Sequence, residues 1–487
     1  MRLPPKPPPL DPLTKLLARH PEYGPLATTL VPHGDAVPLA VMVRGTLEWL
    51  LDETTLEKLF HDHAPDQYRR ELTINALVRL VIQVTAGIRR SVHAAYKADQ
   101  ALDQPTITTS CQAVYGKLGR LQPAVSEAVV RYGAERCQQL LTLTPDARKE
   151  PRPGYRVRVL DGNVLAGTEH RLTPLRRWLN ACLPGKSLVV YEPGVGLVTD
   201  VVLCEDAYTQ ERALLTQILP RVRAEDLFIA DRNFCTTRFV FGLHAARAWV
   251  IVRQHRSTLP CQTIDALTPA GNTTTGAVYE QRVRATDPDD GTKLTLRRIE
   301  IRLHRATRDG DTTLAVLTNL PPEVSAAAIA DDYLTRWTIE QHFQFLTQSL
   351  KCELPGLGQP RAALFGFAMA VLAGNALAVV RGGLRSAHGA AAEAELSGHY
   401  LADELAHDYR ALQKYAAATN WQGWRDLPAA QLAPLLRTLA ARVKLQGLTR
   451  SRRGPKKPPN QKPVYDPHHK HYSTARLLKG LDQEDSC

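Results

Sequence analysis

The chain has 487 residues, of which 44% are hydrophobic, and this composition excludes an intrinsically disordered protein. The length allows roughly two to four domains of about 150 residues each. The formal net charge of +12 and the pI of about 9.3 favour a polyanionic partner. Eight cysteines without a CxxC pair argue against a zinc ribbon and a dense disulfide framework, and they indicate a reducing cytoplasm.

Residues 1–150 are predicted to form a helical N-terminal region after a proline-rich start. Apolar side chains recur at helical spacing over residues 72–90, and further helices are predicted around 45–62 and 122–142. The amino terminus lacks the apolar core of a signal peptide. A Pro- and charge-rich stretch over residues 145–154 indicates a linker to the next region.

Residues 151–254 differ in character, because strands and helices alternate there. Runs of β-branched residues predict strands, and helical spacing predicts the segments between them. The strands are predicted at 155–160, 186–191, 196–203, 227–230 and 249–254, and the helices at 209–222 and 236–247. This alternation indicates an α/β layer structure, which we assign as the first part of a core.

Residues 255–320 are predicted to be a β-rich insertion, because turn clusters separate strand-like runs. Around Ile299 and Ile301, apolar residues alternate with polar ones, which indicates a strand with one buried and one exposed face. Helical signals then resume. We assign residues 321–385 to the second part of the core and residues 386–440 to a helical C-terminal region.

Residues 362–380 form a segment that is long and apolar enough to be mistaken for a membrane span. The segment is rich in alanine and contains Gly366, Gly374 and Asn375. We therefore predict a helix buried against the sheet, and no association with a membrane.

Residues 441–487 form a basic tail that we predict to be partly disordered. Between Arg442 and Lys479 there are eleven Lys or Arg and one acid, so nearly all of the excess positive charge lies in this stretch. A solubilising tail is one interpretation; contact with DNA phosphates is the one we favour. The residues assigned to this contact are Arg452, Arg453, Lys456 and Lys457.

Three acids occupy sequence positions from which their side chains can lie close together at one edge of the predicted sheet. Asp161 and Asp231 each follow an apolar run, as a carboxylate at the end of a buried strand does, and Glu340 lies on an amphipathic helix. Cleavage or transfer of a phosphodiester can use two metal ions about 4 Å apart, which activate the nucleophile and stabilise the leaving oxygen. Oxygen ligands select Mg²⁺ or Mn²⁺, so the three acids predict a catalytic site with two such ions.

Each aspartate alone has another explanation. Asp161 precedes a glycine and can belong to a turn, and Asp231 can cap the helix that starts near Thr236. Other acids lie nearby in the sequence, namely Asp200, Glu205, Asp206 and Glu225. The joint pattern of strand, strand and helix is what favours the catalytic interpretation.

The helix around Glu340 is predicted to carry two stripes of side chains. The first stripe is polar, and the second, about a quarter-turn away, is apolar and predicted to enter the core. The polar stripe contains Tyr333, Arg336, Glu340, Gln344, Thr347 and Lys351, and the apolar stripe contains Ile339, Phe343, Leu346 and Leu350. A solvated face is the alternative for the polar stripe. In the functional interpretation Glu340 binds metal, Arg336 binds a phosphate and Tyr333 donates a hydrogen bond, while Trp337 is predicted to be core.

In these segments the chain resembles bacterial insertion-sequence transposases of the DDE class, specifically the insertion-sequence-4 family. The family signature Y-(2)-R-(3)-E-(6)-K is matched by Tyr333, Arg336 and Glu340. The lysine position falls on Thr347, and Lys351 is the nearest substitute. The resemblance covers about residues 155–385.

The resemblance implies a ribonuclease-H-like (integrase-like) α/β core with a β-rich insertion between the second aspartate and the glutamate. It implies an enzyme that binds the terminal inverted repeats of its own element as a homodimer, cleaves the double-stranded DNA and joins the ends to a target in cut-and-paste transposition. The N-terminal helices are the candidates for recognising the DNA end. We expect a cytoplasmic, nucleoid-associated protein. Two alternatives stay open: a ribonuclease-H-like nuclease without strand transfer, and a catalytically inactive DNA-binding descendant.

Overall fold

A mixed sheet of ten strands runs through the part of the chain that the computed structural model describes. The described residues are 20–67, 71–146, 148–165, 172–173, 183–307, 310–354, 356–416 and 418–451. In chain order the strands are β1 (Arg156–Val164), β2 (Lys186–Glu192), β3 (Leu197–Cys204), β4 (Asp226–Ala230), β5 (Trp249–Arg253), β6 (Cys261–Thr263), β7 (Thr268–Asn272), β8 (Gly276–Thr286), β9 (Lys293–Leu303) and β10 (Thr313–Thr318). Their order across the sheet is β3-β2-β1-β4-β5-β10-β9-β8-β6, and β7 also pairs with β8.

Strands β1, β4 and β5 are parallel, whereas β1, β2 and β3 pair in antiparallel fashion. Leu160 of β1 lies opposite Ala230 of β4, and Ala230 lies opposite Val252 of β5. The carboxyl ends of the three parallel strands therefore meet at one edge of the sheet. All residues of β4 are buried, as expected for a strand with both faces covered.

The five strands predicted between residues 155 and 254 are confirmed, with one difference in β1. The sequence pattern ended this strand at Leu160, but β1 continues to Val164. It continues because β2 is its antiparallel partner, with Asp161 opposite Val189, after the pairing with β4 has stopped. Asp161 thus lies within β1. It directly follows Leu160, which is the last residue of β1 that pairs with β4.

The strands predicted in the β-rich insertion are also confirmed, and they extend the same sheet. β10 pairs with β5, and β9 and β8 follow as an antiparallel hairpin. Ile299 and Ile301 are buried while Arg302 is exposed, as the alternation predicted. Joining this segment to the core sheet requires pairing between residues far apart in sequence, which the local pattern does not contain.

The residues before β1 form helices α1 to α7. Their bounds are α1 (Ala27–His33), α2 (Pro38–Leu50), α3 (Glu53–His63), α4 (Ile74–Thr85), α5 (Val92–Gln100), α6 (Cys111–Leu118) and α7 (Pro123–Thr142), after a 3-10 helix at Pro21–Leu26. The single helix predicted around residues 45–62 is divided at Asp52. The Asp52 carboxylate accepts a hydrogen bond from the Thr55 N–H at 2.7 Å and so caps the start of α3.

Two helices connect the core strands, and seven follow the sheet in the described part of the chain. They are α8 (Glu211–Ile218), α9 (Thr237–Ala245), α10 (Ala326–Leu334), α11 (Trp337–Gln348), α12 (Pro360–His388), α13 (Ala390–Ala394), α14 (Gly398–Tyr415), α15 (Gln422–Arg425) and α16 (Ala429–Ala440). Short 3-10 helices lie at Leu219–Arg221, Arg232–Phe234, Ala418–Trp421 and Gln446–Leu448.

Helix α12 is the only described helix that is long and apolar enough to cross a membrane, and 94% of its most apolar stretch is buried inside the protein. Asn375 docks this helix on β3: its amide accepts from the Val198 N–H and donates to the Val198 carbonyl, both at 2.9 Å. The prediction of a helix buried against the sheet is confirmed.

The two faces of the sheet are covered by different helices. Leu160, Leu188 and Val190 face α8 and α9, whereas Val159 and Val189 face the opposite way. On this opposite face the N-terminal helices and the helices after Pro360 share one apolar core. Both ends of the described chain therefore contribute to that core. The domain boundaries assigned at residues 150, 254, 320, 385 and 440 stay predictions.

Candidate active site

Asp161 and Asp231 lie side by side at the carboxyl edge of the parallel strands. Each directly follows a residue of the last β1–β4 pair, Leu160 and Ala230. The Asp161 carboxylate accepts a hydrogen bond from the Gly162 N–H at 2.9 Å. Asp231 does not cap α9, because the Thr236 hydroxyl accepts the bond from the Phe239 N–H there. The Asp231 side chain is therefore left to face the edge of the sheet.

The helix predicted to carry the polar stripe is broken, which corrects the prediction of one continuous helix. Helix α10 ends at Leu334 and α11 begins at Trp337. Between them the backbone makes the tighter bonds of a 3-10 turn, from the Arg336 N–H to the Tyr333 carbonyl at 3.1 Å and from the Ile339 N–H to the Arg336 carbonyl at 3.2 Å. Tyr333 thus lies in the last turn of α10, and Arg336 directly precedes α11.

Arg336 links the two acids that belong to different elements. Its Nη1 lies 3.3 Å from Asp161 Oδ2, and its Nη2 lies 2.8 Å from Glu340 Oε1. The Tyr333 hydroxyl lies 3.5 Å from Asp231 Oδ1. Arg336 therefore connects Asp161 to Glu340, and Tyr333 contacts Asp231 beside them.

Burial changes the ionisation of this group of side chains. Burial raises the pKa of Asp161 to about 6, against the opposing effects of Arg336 and the Gly162 N–H, and the carboxylates of Asp231 and Glu211 raise this pKa further. Burial and the charge of Asp231 also raise the pKa of Tyr333, so its hydroxyl stays a neutral donor. The Arg336 side chain is only 11% exposed and lies among the acids.

Asp161 and Asp231 line a cleft of about 370 Å³. The other lining residues are Glu211, Arg232, Asn233, Phe234 and His255. Glu340 is not among them. Its side chain is 42% exposed and is held beside the cleft by Arg336.

Glu211 is an acid of this cleft that the sequence analysis missed. It is the first residue of α8, and its carboxylate accepts a hydrogen bond from the Asn233 amide at 2.8 Å. A Cβ atom on Gly162 would lie 2.2 Å from Glu211 Cδ, so a side chain at position 162 would displace the Glu211 carboxylate from this place. The glycine after Asp161 was the one sequence signal of this close approach. His255, which follows β5, was also missed.

Three of the other four acids named near the site have side-chain partners elsewhere. Asp200 pairs with Arg131 and Arg221, and Glu205 pairs with Arg361. Asp206 accepts hydrogen bonds within its own turn, from the Tyr208 N–H and the Thr209 hydroxyl, and Glu225 has a left-handed φ of 71° before β4. None of these four acids lines the cleft.

Lys351 does not lie on the stripe with Glu340, which is a second correction. Helix α11 ends at Gln348, and Lys351 has a left-handed φ of 40°. Its side chain turns towards the N-terminal helices, where its Cε lies 3.9 Å from the position that a Cβ on Gly87 would take. The residues between α11 and Lys351 thus redirect the side chain that was predicted to replace the family lysine.

Trp337 was predicted to be a core residue and is instead 53% exposed. It is the first residue of α11, and its ring lies against the Arg336 guanidinium, 5.0 Å from the ring centroid. The helix break turns this residue outward. Of the predicted apolar stripe, Ile339, Leu346 and Leu350 are buried as expected, whereas Phe343 is only half-buried.

The four basic residues assigned to the tail, Arg452, Arg453, Lys456 and Lys457, lie outside the described residues. Their contact with phosphates stays a prediction.

Residues 152–370, which contain all three acids, match the model of the transposase DDE domain family. No curated protein matches the chain. Among solved structures, the chain is similar to the piggyBac transposase in a synaptic complex with hairpin DNA, at 11% sequence identity and a TM-score of 0.41, over 77% of this chain and 82% of that one. The family match over residues 152–370 supports a DDE transposase.

Proposed function

We propose that this protein is a transposase that binds the terminal inverted repeats of an insertion sequence and catalyses Mg²⁺-dependent DNA cleavage and strand transfer. One observation carries the proposal. Asp161 and Asp231 are adjacent at the sheet edge and are linked through Arg336 to Glu340, within a segment that matches the transposase DDE domain.

The narrower assignment is to the insertion-sequence-4 family of bacteria, with a ribonuclease-H-like core. It is supported by the sequence signature at Tyr333, Arg336 and Glu340, whose side chains meet the strand acids. The mixed sheet with three parallel strands and helices on both faces also supports such a core. Thr347 at the lysine position, with Lys351 turned away, is the departure that keeps a nuclease without strand transfer and an inactive DNA-binding protein as alternatives.

The residues of the cleft fit a divalent cation by the chemistry of their donors. Asp161 and Asp231 offer only oxygen, which suits Mg²⁺ or Mn²⁺. Within the described residues no three His, Cys, Asp or Glu side chains are close enough to hold a metal ion. The Arg336 guanidinium lies between Asp161 and Glu340 and contacts both. When two ions are bound, they would activate the attacking oxygen and stabilise the leaving one.

The protein's own side chains would position the DNA strand. Asp161, Asp231 and Glu340 would hold the cations, and release of Glu340 from Arg336 would free the guanidinium for a phosphate oxygen. Tyr333, kept neutral by its raised pKa, would hold the Asp231 carboxylate in place. The partners would be the double-stranded ends of the element and a target DNA, engaged by a homodimer because both ends must be processed.

A strand-transfer assay tests the proposal. The substrate is a duplex that carries the sequences flanking the coding region, with Mg²⁺ and a target plasmid. Joined product supports the transposase, cleavage without joining supports the nuclease, and binding without cleavage supports the inactive descendant. Short inverted repeats in the flanking DNA are expected as well. The cytoplasmic, nucleoid-associated location follows from the same proposal.

A further inference from the structure

His255 lies where the third parallel strand reaches the edge of the sheet. Strand β5 ends at Arg253, and the chain then passes through Gln254 to His255. Because β5 is parallel to β4, this turn emerges at the same edge as Asp161 and Asp231, and His255 lines the same cleft. An imidazole thus lines the same cleft as three carboxylates.

The turn that carries His255 is hydrogen-bonded to the segment that follows Asp231. The Thr258 hydroxyl donates to the Cys235 carbonyl at 2.6 Å, and the Thr237 N–H donates to the Thr258 carbonyl at 3.4 Å. Leu259 is fully buried below the turn. The imidazole is therefore held at a fixed place relative to the acids.

One ring nitrogen of His255 is occupied and the other is available. Nδ1 lies 3.1 Å from the Ser257 hydroxyl. Within the described part of the chain, Nε2 makes no hydrogen bond. When Ser257 donates to Nδ1, the neutral ring carries its proton on Nε2 and can donate it to a ligand in the cleft.

The charge of the cleft indicates which kind of ligand the His255 N–H would bind. A phosphodiester that approaches three carboxylates is repelled, so it requires donors from the protein in addition to cations. The Asn233 amide is already bound to Glu211. The basic side chains that line the cleft are Arg232, which is exposed, and His255, which is half-buried.

We propose that His255 binds the phosphate of DNA at the cleavage position, with Nε2 donating to a non-bridging oxygen and Ser257 orienting the ring. This inference rests on the proposed function, since it concerns the phosphate that would be cleaved. His255 is a substrate-binding residue in this proposal, and Ser257 is a positioning residue.

The test compares DNA affinities of the full-length protein in Ca²⁺. One duplex end is unmodified, and the other carries a single uncharged methylphosphonate at the cleavage position. His255→Ala should bind the unmodified end about tenfold more weakly than the wild type, as expected for a lost hydrogen bond to a charged group. On the methylphosphonate duplex the same substitution should have almost no effect.

Three further variants make the result specific. His255→Gln keeps an N–H donor and should lose less affinity than His255→Ala, and Ser257→Ala should show a smaller loss with the same dependence on the phosphate. His244→Ala is the matched control, because this exposed histidine lies before the start of β5 at the other edge of the sheet. Thermal unfolding of each variant checks that it is folded.

An equal loss on both duplexes, or no loss on the unmodified one, would overturn the proposal. The outcome is separable from that of the proposed function. A wild type that joins DNA but whose His255 variants show no dependence on the phosphate refutes the role of His255 alone. A wild type that makes no joined product, with the phosphate-dependent loss intact, refutes strand transfer and leaves His255 as a phosphate-binding residue.

Discussion

Asp161 is the acid of the cleft on which several electrostatic effects act together. Burial raises its pKa to about 6, and Asp231 and Glu211 add to this effect, while Arg336 opposes it. A carboxylate must lose its proton before it binds a divalent cation. Above a pH of about 6, Asp161 is therefore mostly ionised and can bind a metal ion. Below this pH it is mostly protonated and cannot.

We expect the affinity of the protein for Mn²⁺ to fall as the pH is lowered through about 6. Asp161 is ionised above this pKa and protonated below it, so the loss belongs to the acid side. Calorimetric titration with Mn²⁺, at a series of pH values on either side of this pKa, measures the midpoint.

Glu211→Gln tests the cause of that midpoint. The substitution removes one of the two charges that raise the pKa of Asp161 and keeps an oxygen for the Asn233 amide. The midpoint should move to lower pH. Glu205→Gln, at the exposed acid that pairs with Arg361, should leave the midpoint unchanged. A midpoint that stays or rises in Glu211→Gln would show that Glu211 does not act on Asp161.

Arg336 makes two contacts that a lysine cannot reproduce. Its planar guanidinium reaches Asp161 and Glu340 through separate nitrogens, whereas an ammonium group is a single point charge. In the proposed function the guanidinium keeps Asp161 and exchanges Glu340 for a phosphate oxygen, and an ammonium group would contact both less well. Arg336→Lys should therefore lower the rate of DNA cleavage by roughly tenfold to a hundredfold, the range expected for lost charged hydrogen bonds. Single-turnover cleavage measures this rate. Arg282→Lys, at an exposed ion pair with Asp265, is the control, and an equal loss there would remove the special role of Arg336.

At the scale of elements, the strands and the buried helix followed from local patterns, and the break between α10 and α11 did not. β-Branched runs predicted β1 to β5, because the apolar residues that each strand buries lie within its own short segment of sequence. The junction at Thr335 and Arg336 contains no Gly or Pro, so its sequence continues the helical pattern. The 3-10 turn occurs where Tyr333 and Arg336 contact acids on distant strands, and such contacts leave no local signature.

Helix α12 depends on one buried polar residue for its register on the sheet. Asn375 is fully buried, and both of its hydrogen bonds go to the backbone of Val198. Asn375→Ala should lower the free energy of unfolding by about 2–4 kcal/mol, because it leaves a buried N–H and C=O without partners. Urea unfolding measures the change. Arg361→Ala, at a surface ion pair on the same helix, should cost less than about 1 kcal/mol, and an equal cost would contradict the role of Asn375.

At the scale of the whole molecule, both ends of the described chain share one core, and eight of the eleven Lys and Arg of the basic stretch follow Ser451 in the sequence. Val443 and Leu448 are buried, and Thr449 pairs with Leu396. The amino-acid composition predicted the basic tail. It did not predict that the start of the tail packs on the core, because these contacts join residues far apart in sequence. The same limit explains why the acids could be nominated from sequence while Glu211 and His255 could not.

Removing the chain after Ser451 should weaken DNA binding without unfolding the core. The deletion removes eight of the eleven Lys and Arg of the basic stretch and keeps the buried residues before it. The plot of log affinity against log salt concentration should become flatter by several phosphate contacts. Binding at a series of salt concentrations measures the slope. An unchanged slope would mean that the tail does not contact phosphates.

The central claim is that Asp161, Asp231 and Glu340 act together on the DNA strand, and substitution of each acid by its amide tests it most directly. The measurement is Mg²⁺-dependent strand transfer, with DNA-end binding and thermal unfolding recorded for the same proteins. Asp161→Asn, Asp231→Asn and Glu340→Gln should each abolish the joined product while the DNA end is still bound, and Glu205→Gln should behave as the wild type. A Glu340→Gln protein that joins DNA as well as the wild type, or an Asp231→Asn protein that no longer folds, would contradict the account.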